Sequence, residues 1–389
     1  MGRTPWSARV PPDPHFEHRE RIKQSDVGVG RGPGGPPHFT LVTCYNPTRM
    51  KNSGRTNLLW LALLLAPGAF AQQQFAALGD FKLESGVLQE CRIGYRTFGS
   101  LNSDQSNVIL FPTWAGGTTE QLSGNVGPGK LVDSSKYYVI LVDALSNGVS
   151  SSPSNSKKQP RMRFPKITIR DMVNTQHELL TRVFHLQHVK AVLGISMGGM
   201  QTFQWMTAYP GFMDKAVPMV GSPRLAPYDL LLWQAQIDAI QTDPAWHGGD
   251  YEQNPARAAE YEFGELFLTT PEHYNRANRR EQVLEQIAKA RKAPGGSDAN
   301  DKIRQCEAMM SLDVSLPVEG SLARAAAAVK AQVLVVVSKY DHVVTPGPAT
   351  EFARLMHAQL LELTSDCGHL ATSCESQKLQ NALAEFLEH

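Results

Sequence analysis

Six short apolar runs, separated by segments with helical periodicity, constrain the fold of this chain more than any other feature. Each run is rich in aliphatic or β-branched residues and is bounded by Gly, Pro, Ser or Asp, which is typical of buried parallel strands. The runs are Asn107–Phe111, Tyr137–Val142, Val189–Leu193, Lys215–Val220, Gln332–Val337 and Gln359–Leu363. Apolar residues recur at helical spacing between them, so helices should cover both faces of the sheet. The sequence therefore predicts a three-layer α/β domain with a mostly parallel central sheet.

Two further segments complete the predicted domain. The stretch Gly79–Phe98 alternates apolar and polar residues, which predicts antiparallel strands at the edge of the sheet. The segment from about Ser222 to Ala328 lies between the fourth and fifth runs and is dominated by helix formers and charged residues. Inserted over the carboxyl ends of the strands, it should form a helical lid above the ligand crevice. Other helices are expected at Ile169–Phe184, Met200–Tyr209, Pro348–Met356 and Glu375–Leu387.

The N-terminal segment has the features of a leader. Residues 1–49 are rich in Pro, Gly and charge and lack a sustained apolar period, so we expect a disordered extension. Met50 opens a segment with a cationic flank, an apolar run from Leu58 to Ala66 and a small-x-small triplet that ends at Ala71. This is the order of features in a secretory signal peptide, and the run is too short to cross a bilayer. The alternative is a buried core helix.

The signal peptide, residues 50–71, has consequences for where the protein begins and where it goes. Its position behind an internal Met favours translation from Met50, with residues 1–49 the product of an incorrectly assigned start. Cleavage after Ala71 would leave a mature domain of residues 72–389. We expect this domain to be exported, either to a periplasm or to the medium.

Composition excludes several classes of protein. The chain of 389 residues carries 38 Lys and Arg against 37 Asp and Glu, a formal net charge of +1, so no surface for nucleic acid is expected. No apolar run approaches the roughly 18 residues of a spanning helix, so no membrane anchor is expected. Five cysteines are too few for a disulfide scaffold in a chain of this length.

The strongest local motif is GISMGG, residues 194–199, which directly follows the run Val189–Leu193 and directly precedes a helical pattern. It contains G-x-S-x-G in the strand, turn and helix context of a nucleophile elbow. The turn is so tight that Gly must flank the nucleophile, and the amino end of the following helix stabilises developing negative charge. Ser196 is the predicted nucleophile, and the alternative is a Gly-rich turn without chemistry.

A serine nucleophile needs a base that is itself oriented by an acid. In folds with such an elbow, the acid and then the His follow the Ser along the chain. Asp341 follows the run that ends at Val337, and His369 follows the last run, so both lie in strand-end loops. We predict Asp341 as the acid and His369 as the base. Asp366 is the weaker candidate for the acid, and His342 is the rival for the base.

Acyl transfer also needs two backbone N–H donors for the oxyanion of its tetrahedral intermediate. The amide of Met197, next to the nucleophile, is the first predicted donor. The loop after Asn107–Phe111 reads PTWAGG, and we predict the amide of Trp114 as the second donor. Trp114 can also be a packing aromatic, because the donor belongs to the main chain.

The cysteines left after removal of the leader allow three complete pairings and are Cys91, Cys306, Cys367 and Cys374. A disulfide between Cys367 and Cys374 would bracket His369 and hold its loop, and export permits such a bond. A zinc site from these three residues fits the spacing and ligand count poorly. The segment HLQH, residues 185–188, favours a solvated helix end over a metal site. No metal is expected.

Five segments carry a family resemblance. They are YRTFGSLN at 95–102, GPGK at 127–130, FPKITIRDMV at 164–173, GISMGGMQTFQW at 194–205 and DPAWHGGDY at 243–251. These segments resemble motifs of the homoserine O-acetyltransferase family of α/β hydrolases, and the resemblance runs from about Tyr95 to the C-terminus. It implies an α/β-hydrolase fold in which Ser196 takes an acetyl group from acetyl-CoA. It also implies that His369 acts as base with Asp341, and that an acceptor hydroxyl collects the acyl group.

The sequence departs from that family at the acceptor site. In the family, a helix soon after the nucleophile strand carries an Arg that binds the carboxylate of the amino acid, whereas Leu230–Ile240 has no basic residue. Pro112 stands where the family usually has a His before the oxyanion donor, and the predicted lid is shorter. An export signal also conflicts with the use of cytoplasmic acetyl-CoA. These departures favour a different substrate.

The prediction is an exported, serine-dependent acyl-transfer enzyme with an acyl-enzyme intermediate and an unassigned substrate. Three alternatives stay open: a homoserine O-acetyltransferase with acetyl-CoA as acyl-donor substrate, a secreted carboxylesterase, and a non-catalytic ligand-binding protein. The expected partners are a small-molecule ester or acyl donor and an acceptor, and a homodimer is open as well. No cofactor is expected.

Overall fold

The central sheet contains strands at the six predicted runs and, at one edge, the antiparallel strands predicted for Gly79–Phe98, which begin earlier than predicted, at Gln74. The computed structural model describes residues 71–292 and 296–389. In chain order the strands are β1 (Gln74–Leu83), β2 (Gly86–Phe98), β3 (Val108–Pro112), β4 (Tyr138–Val142), β5 (Val189–Ile195), β6 (Met213–Met219), β7 (Gln332–Ser338) and β8 (Gln359–Leu363). Across the sheet the order is β1-β2-β4-β3-β5-β6-β7-β8. The pairs β1–β2 and β2–β4 are antiparallel and all others are parallel, which confirms the predicted sheet.

The two faces of the sheet bury separate cores. In β3, Val108 and Leu110 belong to one core, whereas Ile109 and Phe111 belong to the other. All four side chains are completely buried. Because successive side chains of a strand point to opposite faces, a strand that is apolar throughout must be covered on both sides. The continuous apolar runs of the sequence therefore lead directly to the three-layer arrangement.

Helices cover the sheet and fill the segment between β6 and β7. The α-helices of the described residues are α1 (Thr119–Leu122), α2 (Ile169–Glu178), α3 (Met197–Ala208), α4 (Pro227–Gln241), α5 (Ala258–Leu268), α6 (Pro271–Ala277), α7 (Arg280–Ala290), α8 (Ala299–Met310), α9 (Leu322–Ala327), α10 (Gly347–Met356), α11 (Ala371–Cys374) and α12 (Ser376–Glu388). The α-helical part of α2 ends earlier than predicted and continues as a π-helical turn, Leu179–Val183. Helix α3 begins at Met197 rather than at Met200, because the turn at Ser196 leads straight into it.

The predicted lid segment, residues 222–328, contains α4 to α9. Pro227 occupies the first turn of α4, where its fixed φ suits a helix start and its missing N–H costs nothing. Helix α4 packs against α5 and α8, so the segment forms a helical layer of its own. This helical content agrees with the sequence prediction, whereas closure of the segment over a bound ligand stays a prediction.

The predictions for the N-terminus concern residues that the structure, with one exception, does not describe. The disordered extension 1–49 lies wholly outside the described residues, and of the signal peptide 50–71 only Ala71 is described. Both therefore stay predictions. Within residues 71–292 and 296–389, no helix has the length and apolar character needed to cross a membrane.

Candidate active site

Ser196 lies at a sharp turn between β5 and α3. Its backbone has φ 57° and ψ −122°, a conformation that residues other than glycine rarely adopt. A Cβ on Gly194 would clash with the carbonyl group of Gly198, and a Cβ on Gly198 would lie 2.7 Å from the carbonyl oxygen of Pro112. The backbone approaches too closely on both sides for larger residues, so the glycines of the motif are required by packing. The turn has the geometry of a nucleophile elbow.

The structure brings the side chains of Ser196, Asp341 and His369 together. His369 Nε2 is 2.9 Å from Ser196 Oγ, and His369 Nδ1 is 2.7 Å from Asp341 Oδ2. Each residue is more than nine-tenths buried. A carboxylate can only accept a hydrogen bond, so Nδ1 of His369 carries the proton and Nε2 can accept one from the Ser196 hydroxyl. The arrangement is therefore able to activate Ser196 as a nucleophile.

The ends of neighbouring strands position the acid and the base. Strands β7 and β8 are parallel and in register up to their carboxyl ends, so the loops that carry Asp341 and His369 emerge side by side. Oδ1 of Asp341 accepts hydrogen bonds from the backbone amides of Val343 (2.8 Å) and Val344 (2.9 Å). These two bonds fix the carboxylate, and its other oxygen is left for the imidazole of His369.

The two weaker candidates lie away from this hydrogen-bonded set. The side chain of His342 is exposed. Asp366 pairs instead with His273 Nδ1 at 3.2 Å and with Arg276 Nη2 at 2.7 Å. The hydrogen bond from the Arg276 guanidinium holds the pKa of the Asp366 carboxyl below its ordinary value. Of the two acids, only Asp341 contacts His369.

The predicted oxyanion donors lie on two segments next to Ser196, the start of α3 and the loop after β3. Met197 is the first residue of α3, where a backbone N–H has no acceptor within the helix. Trp114 lies in the loop after β3, and its side chain lines the same cavity as Ser196. Gln201 Nε2 donates to the carbonyl oxygens of Thr113 (3.1 Å) and Met197 (3.1 Å), which ties the loop after β3 to the start of α3. The role of the two amides as oxyanion donors stays a prediction.

Two residues that support the site had no signal in the sequence. Gln305 on α8 accepts a hydrogen bond from the amide of Gly116 (2.7 Å) and so holds the loop that carries Trp114. Asp229 on α4 accepts one from the amide of Thr345 (3.1 Å), in the loop that carries Asp341. Asp229 is completely buried, and burial raises the pKa of its carboxyl. Both bonds join segments more than a hundred residues apart, so local patterns cannot reveal them.

A cavity of about 590 Å³ opens beside Ser196 and His369. The lid segment contributes much of its wall, and the lining residues from that segment are Trp233, Gln236, Gly264, Phe267, Leu268 and Lys302. Among the described lining residues, Lys302 is the only one of the four types Lys, Arg, Asp and Glu. Its Nζ lies 3.4 Å from Oε1 of Glu260, so its charge is paired. The cavity suits a small and largely apolar ligand.

A disulfide joins Cys367 to Cys374 and encloses His369, as the sequence suggested. The other two described cysteines, Cys91 and Cys306, are buried and free. His273, Asp366 and Cys367 lie close enough together to suggest a metal site. The Cys367 sulfur is already bonded to Cys374, which leaves too few ligands for a structural metal.

Removal of this disulfide is expected to weaken both folding and catalysis. The Cys374→Ser variant should lose about 2 kcal/mol of unfolding free energy, because a closed loop restricts the unfolded chain. The reactivity of Ser196 should also fall, because the loop that carries His369 is no longer tied. Urea unfolding measures the first effect, and the rate at which a fluorophosphonate probe labels Ser196 in variant and wild type measures the second.

Alkylation mapped by peptide mass spectrometry provides the control. Cys367 and Cys374 should react only after reduction. Cys91 and Cys306 should stay unmodified in the folded protein, since burial raises their thiol pKa to about 12 and about 11. Alkylation of Cys367 without a reductant would contradict the disulfide.

Comparison with known proteins finds the same fold and related enzymes. Residues 107–372 match the model of the alpha/beta hydrolase fold family. The ethyl acetate hydrolase of Pseudomonas veronii is 32% identical over 327 residues, which cover 80% of this chain and 93% of that protein. The homoserine O-acetyltransferase of Methanosphaerula palustris is 31% identical over 365 residues, which cover 83% of this chain and 74% of that protein. The crystal structure of the acetyl esterase MekB has a TM-score of 0.77 and 30% identity, and the match covers 82% of this chain and 97% of that chain.

Proposed function

Because the chain belongs to the homoserine O-acetyltransferase-like branch of the α/β-hydrolase family, we propose that it hydrolyses small carboxylic esters with Ser196 as nucleophile. Enzymes of this branch are acyltransferases or ester hydrolases, and this chain is one of them. The observation that carries the proposal is the hydrogen-bonded set of Ser196, His369 and Asp341 at the wall of the cavity. This geometry supports the roles that we propose below for the individual residues.

In the first half of the reaction, Ser196 is acylated. The Ser196 oxygen attacks the ester carbonyl carbon while its proton moves to Nε2 of His369. The amides of Met197 and Trp114 donate hydrogen bonds to the oxyanion that forms. When the intermediate collapses, the bond between the carbonyl carbon and the alcohol oxygen breaks, and His369 gives its proton to the departing alcohol. Asp341 stabilises the imidazolium between these two proton transfers.

In the second half, water releases the acyl group. A water oxygen attacks the acyl-serine carbonyl carbon and gives a proton to His369. The same two amides stabilise the second oxyanion. The bond to the Ser196 oxygen then breaks, the proton returns from His369 to that oxygen, and the carboxylic acid leaves. An acceptor alcohol in place of water would complete an acyl transfer by the same steps, so only the acceptor separates hydrolysis from transfer.

The lining of the cavity favours water over an amino-acid acceptor. Helix α4 has no basic residue between Leu230 and Ile240, so it offers no cation for an amino-acid carboxylate. Lys302, which lines the cavity, is already paired with Glu260. The relatives named as an ethyl acetate hydrolase and as an acetyl esterase support hydrolysis of short esters. No residue of this proposal requires a cofactor or a metal.

The second candidate function is homoserine O-acetylation, with acetyl-CoA as acyl donor. The relative from Methanosphaerula palustris supports it, because that homoserine O-acetyltransferase matches 83% of this chain. The neutral lining of α4 counts against it. Binding without catalysis is a third candidate, and the hydrogen-bonded set at Ser196 argues against it.

We also place the enzyme outside the cytoplasm and treat a homodimer as an open prediction. The predicted leader 50–71 and the disulfide Cys367–Cys374 both support export, because such bonds persist in oxidising compartments. The expected partners remain a small ester or acyl donor and an acceptor.

Two assays test the proposed activity. Acetate release from ethyl acetate follows hydrolysis, and release of the CoA thiol in the presence of acetyl-CoA and homoserine follows transfer. We expect kcat/KM for ethyl acetate to exceed that for homoserine-dependent CoA release by about 100-fold or more, because the cavity lacks a free cation for the amino acid. Protein inactivated at alkaline pH gives the background rate of both assays.

Two other outcomes would contradict the proposed ester hydrolysis. CoA release that depends on homoserine, with little acetate release from esters, would support the transferase instead. Absence of both activities, together with failure of a fluorophosphonate probe to label Ser196, would support a binding protein.

A further inference from the structure

Two residues of α4 that line the cavity each carry a buried polar atom without a hydrogen-bond partner. The atoms are Nε1 of Trp233 and Oε1 of Gln236, and no acceptor or donor for them lies within the described part of the chain. Both residues are 4% exposed. They are separated by one helical turn, so they lie on the same face of α4. That face forms part of the wall of the cavity that holds Ser196 and His369.

Unpaired polar groups at such a place point to a ligand. Buried indole N–H and amide groups normally find a partner, because burial without one is costly. Three other polar side chains of the same helix are paired: Gln234 donates to Asp238 at 2.8 Å, and Asp229 accepts from Thr345. The two unpaired atoms of α4 thus belong to residues that line the cavity.

The charged side chains at the cavity are paired with one another. Lys302 Nζ lies 3.4 Å from Glu260 Oε1, and Glu260 Oε2 lies 3.5 Å from Arg257 Nη1. The one charged residue of the described lining is therefore engaged with its own counter-ion. A free carboxylate or phosphate on the substrate would have no unpaired cation to meet. A neutral polar group would meet Trp233 and Gln236.

We propose that Trp233 and Gln236 form a hydroxyl-binding subsite, and that the preferred substrates are short esters that carry a hydroxyl group. This proposal rests on the ester hydrolysis proposed above. The indole N–H can only donate and the amide oxygen can only accept. A hydroxyl group is both an acceptor and a donor, so a single hydroxyl satisfies both groups. A carbonyl or ether oxygen would satisfy Trp233 alone, and an alkyl group would satisfy neither.

Two matched pairs of esters test the subsite and show which part of the substrate it binds. For the alcohol side, 2-hydroxyethyl acetate is compared with propyl acetate. For the acyl side, ethyl glycolate is compared with ethyl propanoate. Each pair differs by a hydroxyl in place of a methyl group, and rates are normalised to alkaline hydrolysis of the same ester. We expect kcat/KM to favour the hydroxylated ester about 10-fold or more in one pair.

Variants of α4 assign that preference to the two side chains. Trp233→Phe keeps the aromatic ring but removes the N–H, and Gln236→Leu keeps a similar volume but removes the acceptor. Each should reduce the preference several-fold, and the double variant should bring it close to 1. Gln234→Leu is the matched control, because it makes the same change on the exposed face of the helix and should keep the preference. Thermal unfolding verifies that each variant is folded.

Binding to Ser196→Ala, followed by ligand-observed NMR, separates this inference from the proposed reaction. If wild type hydrolyses both esters of each pair without preference, the subsite is wrong and the hydrolase stands. A preference that survives in the double variant also overturns the subsite. If no ester is hydrolysed but Ser196→Ala binds a hydroxylated ester more tightly than its alkyl partner, the subsite stands and the hydrolase fails. Equal binding and no hydrolysis overturn both.

Discussion

Replacement of Ser196 by alanine should lower kcat for ester hydrolysis by about 10⁴-fold to 10⁶-fold. The variant has no oxygen to form the acyl-enzyme, and what remains is binding together with the oxyanion donors. Ser196 is 8% exposed and loses only a hydroxyl, so its replacement should leave the fold intact. Initial rates with ethyl acetate measure the loss. Labelling by a fluorophosphonate probe, read by mass spectrometry, gives an independent measure.

Ser373→Ala is the matched control for this experiment. Ser373 lines the same cavity but lies outside the hydrogen-bonded set of Ser196, His369 and Asp341. Its replacement should leave fluorophosphonate labelling at Ser196 in place. A Ser196→Ala protein that keeps a tenth or more of wild-type turnover would remove the basis of the proposed mechanism.

Asp341→Asn should lower kcat by about 10³-fold to 10⁴-fold, the second largest effect expected. The amide oxygen of Asn can still accept the hydrogen bonds from Val343 and Val344, so the loop should keep its shape. The amide nitrogen would then face Nδ1 of His369 and force the proton onto Nε2. In that tautomer His369 cannot accept the proton of Ser196. The loss should therefore appear in kcat, with little change in the unfolding free energy.

The same substitution at the rival acid gives the comparison. Asp366→Asn breaks ion pairs with His273 and Arg276 but touches neither His369 nor Ser196. We expect kcat to fall less than about 3-fold, since exposed ion pairs contribute little. A larger loss for Asp366→Asn than for Asp341→Asn would reverse the assignment of the acid.

The sheet and the meeting of Ser196, Asp341 and His369 could be predicted from the sequence because each leaves a local pattern. Strands buried on both faces appear as unbroken apolar runs, and the six runs match β3 to β8 to within a few residues. Ser196 is marked by glycines that the tight turn requires. Asp341 and His369 are marked by their positions just after strands, because parallel strands bring their carboxyl ends to one edge.

The supporting residues could not be predicted, because their signal depends on contacts between distant segments. Gln305 reads as an ordinary helix residue, and its bond to Gly116 exists only once α8 lies against the loop after β3. Trp233 and Gln236 read as ordinary residues of a predicted helical segment, and only the folded structure shows that they line the cavity and that their polar atoms are unpaired. The end of α2 is a similar case, because its π-helical turn has no composition signal.

Helix α4 both supports the loop of Asp341 and lines the cavity, so substitutions that change specificity can also disturb the Asp341 loop. Near its start, α4 holds the Asp341 loop through Asp229 and Thr345, and one turn further on it presents Trp233 to the cavity. If the lid segment were replaced by that of a relative without a hydrogen-bond acceptor for Thr345, the specificity would change. The loop that carries Asp341 would lose its support in the same step. Laboratory evolution toward bulkier esters should therefore retain Asp229 and diversify the turns that follow it.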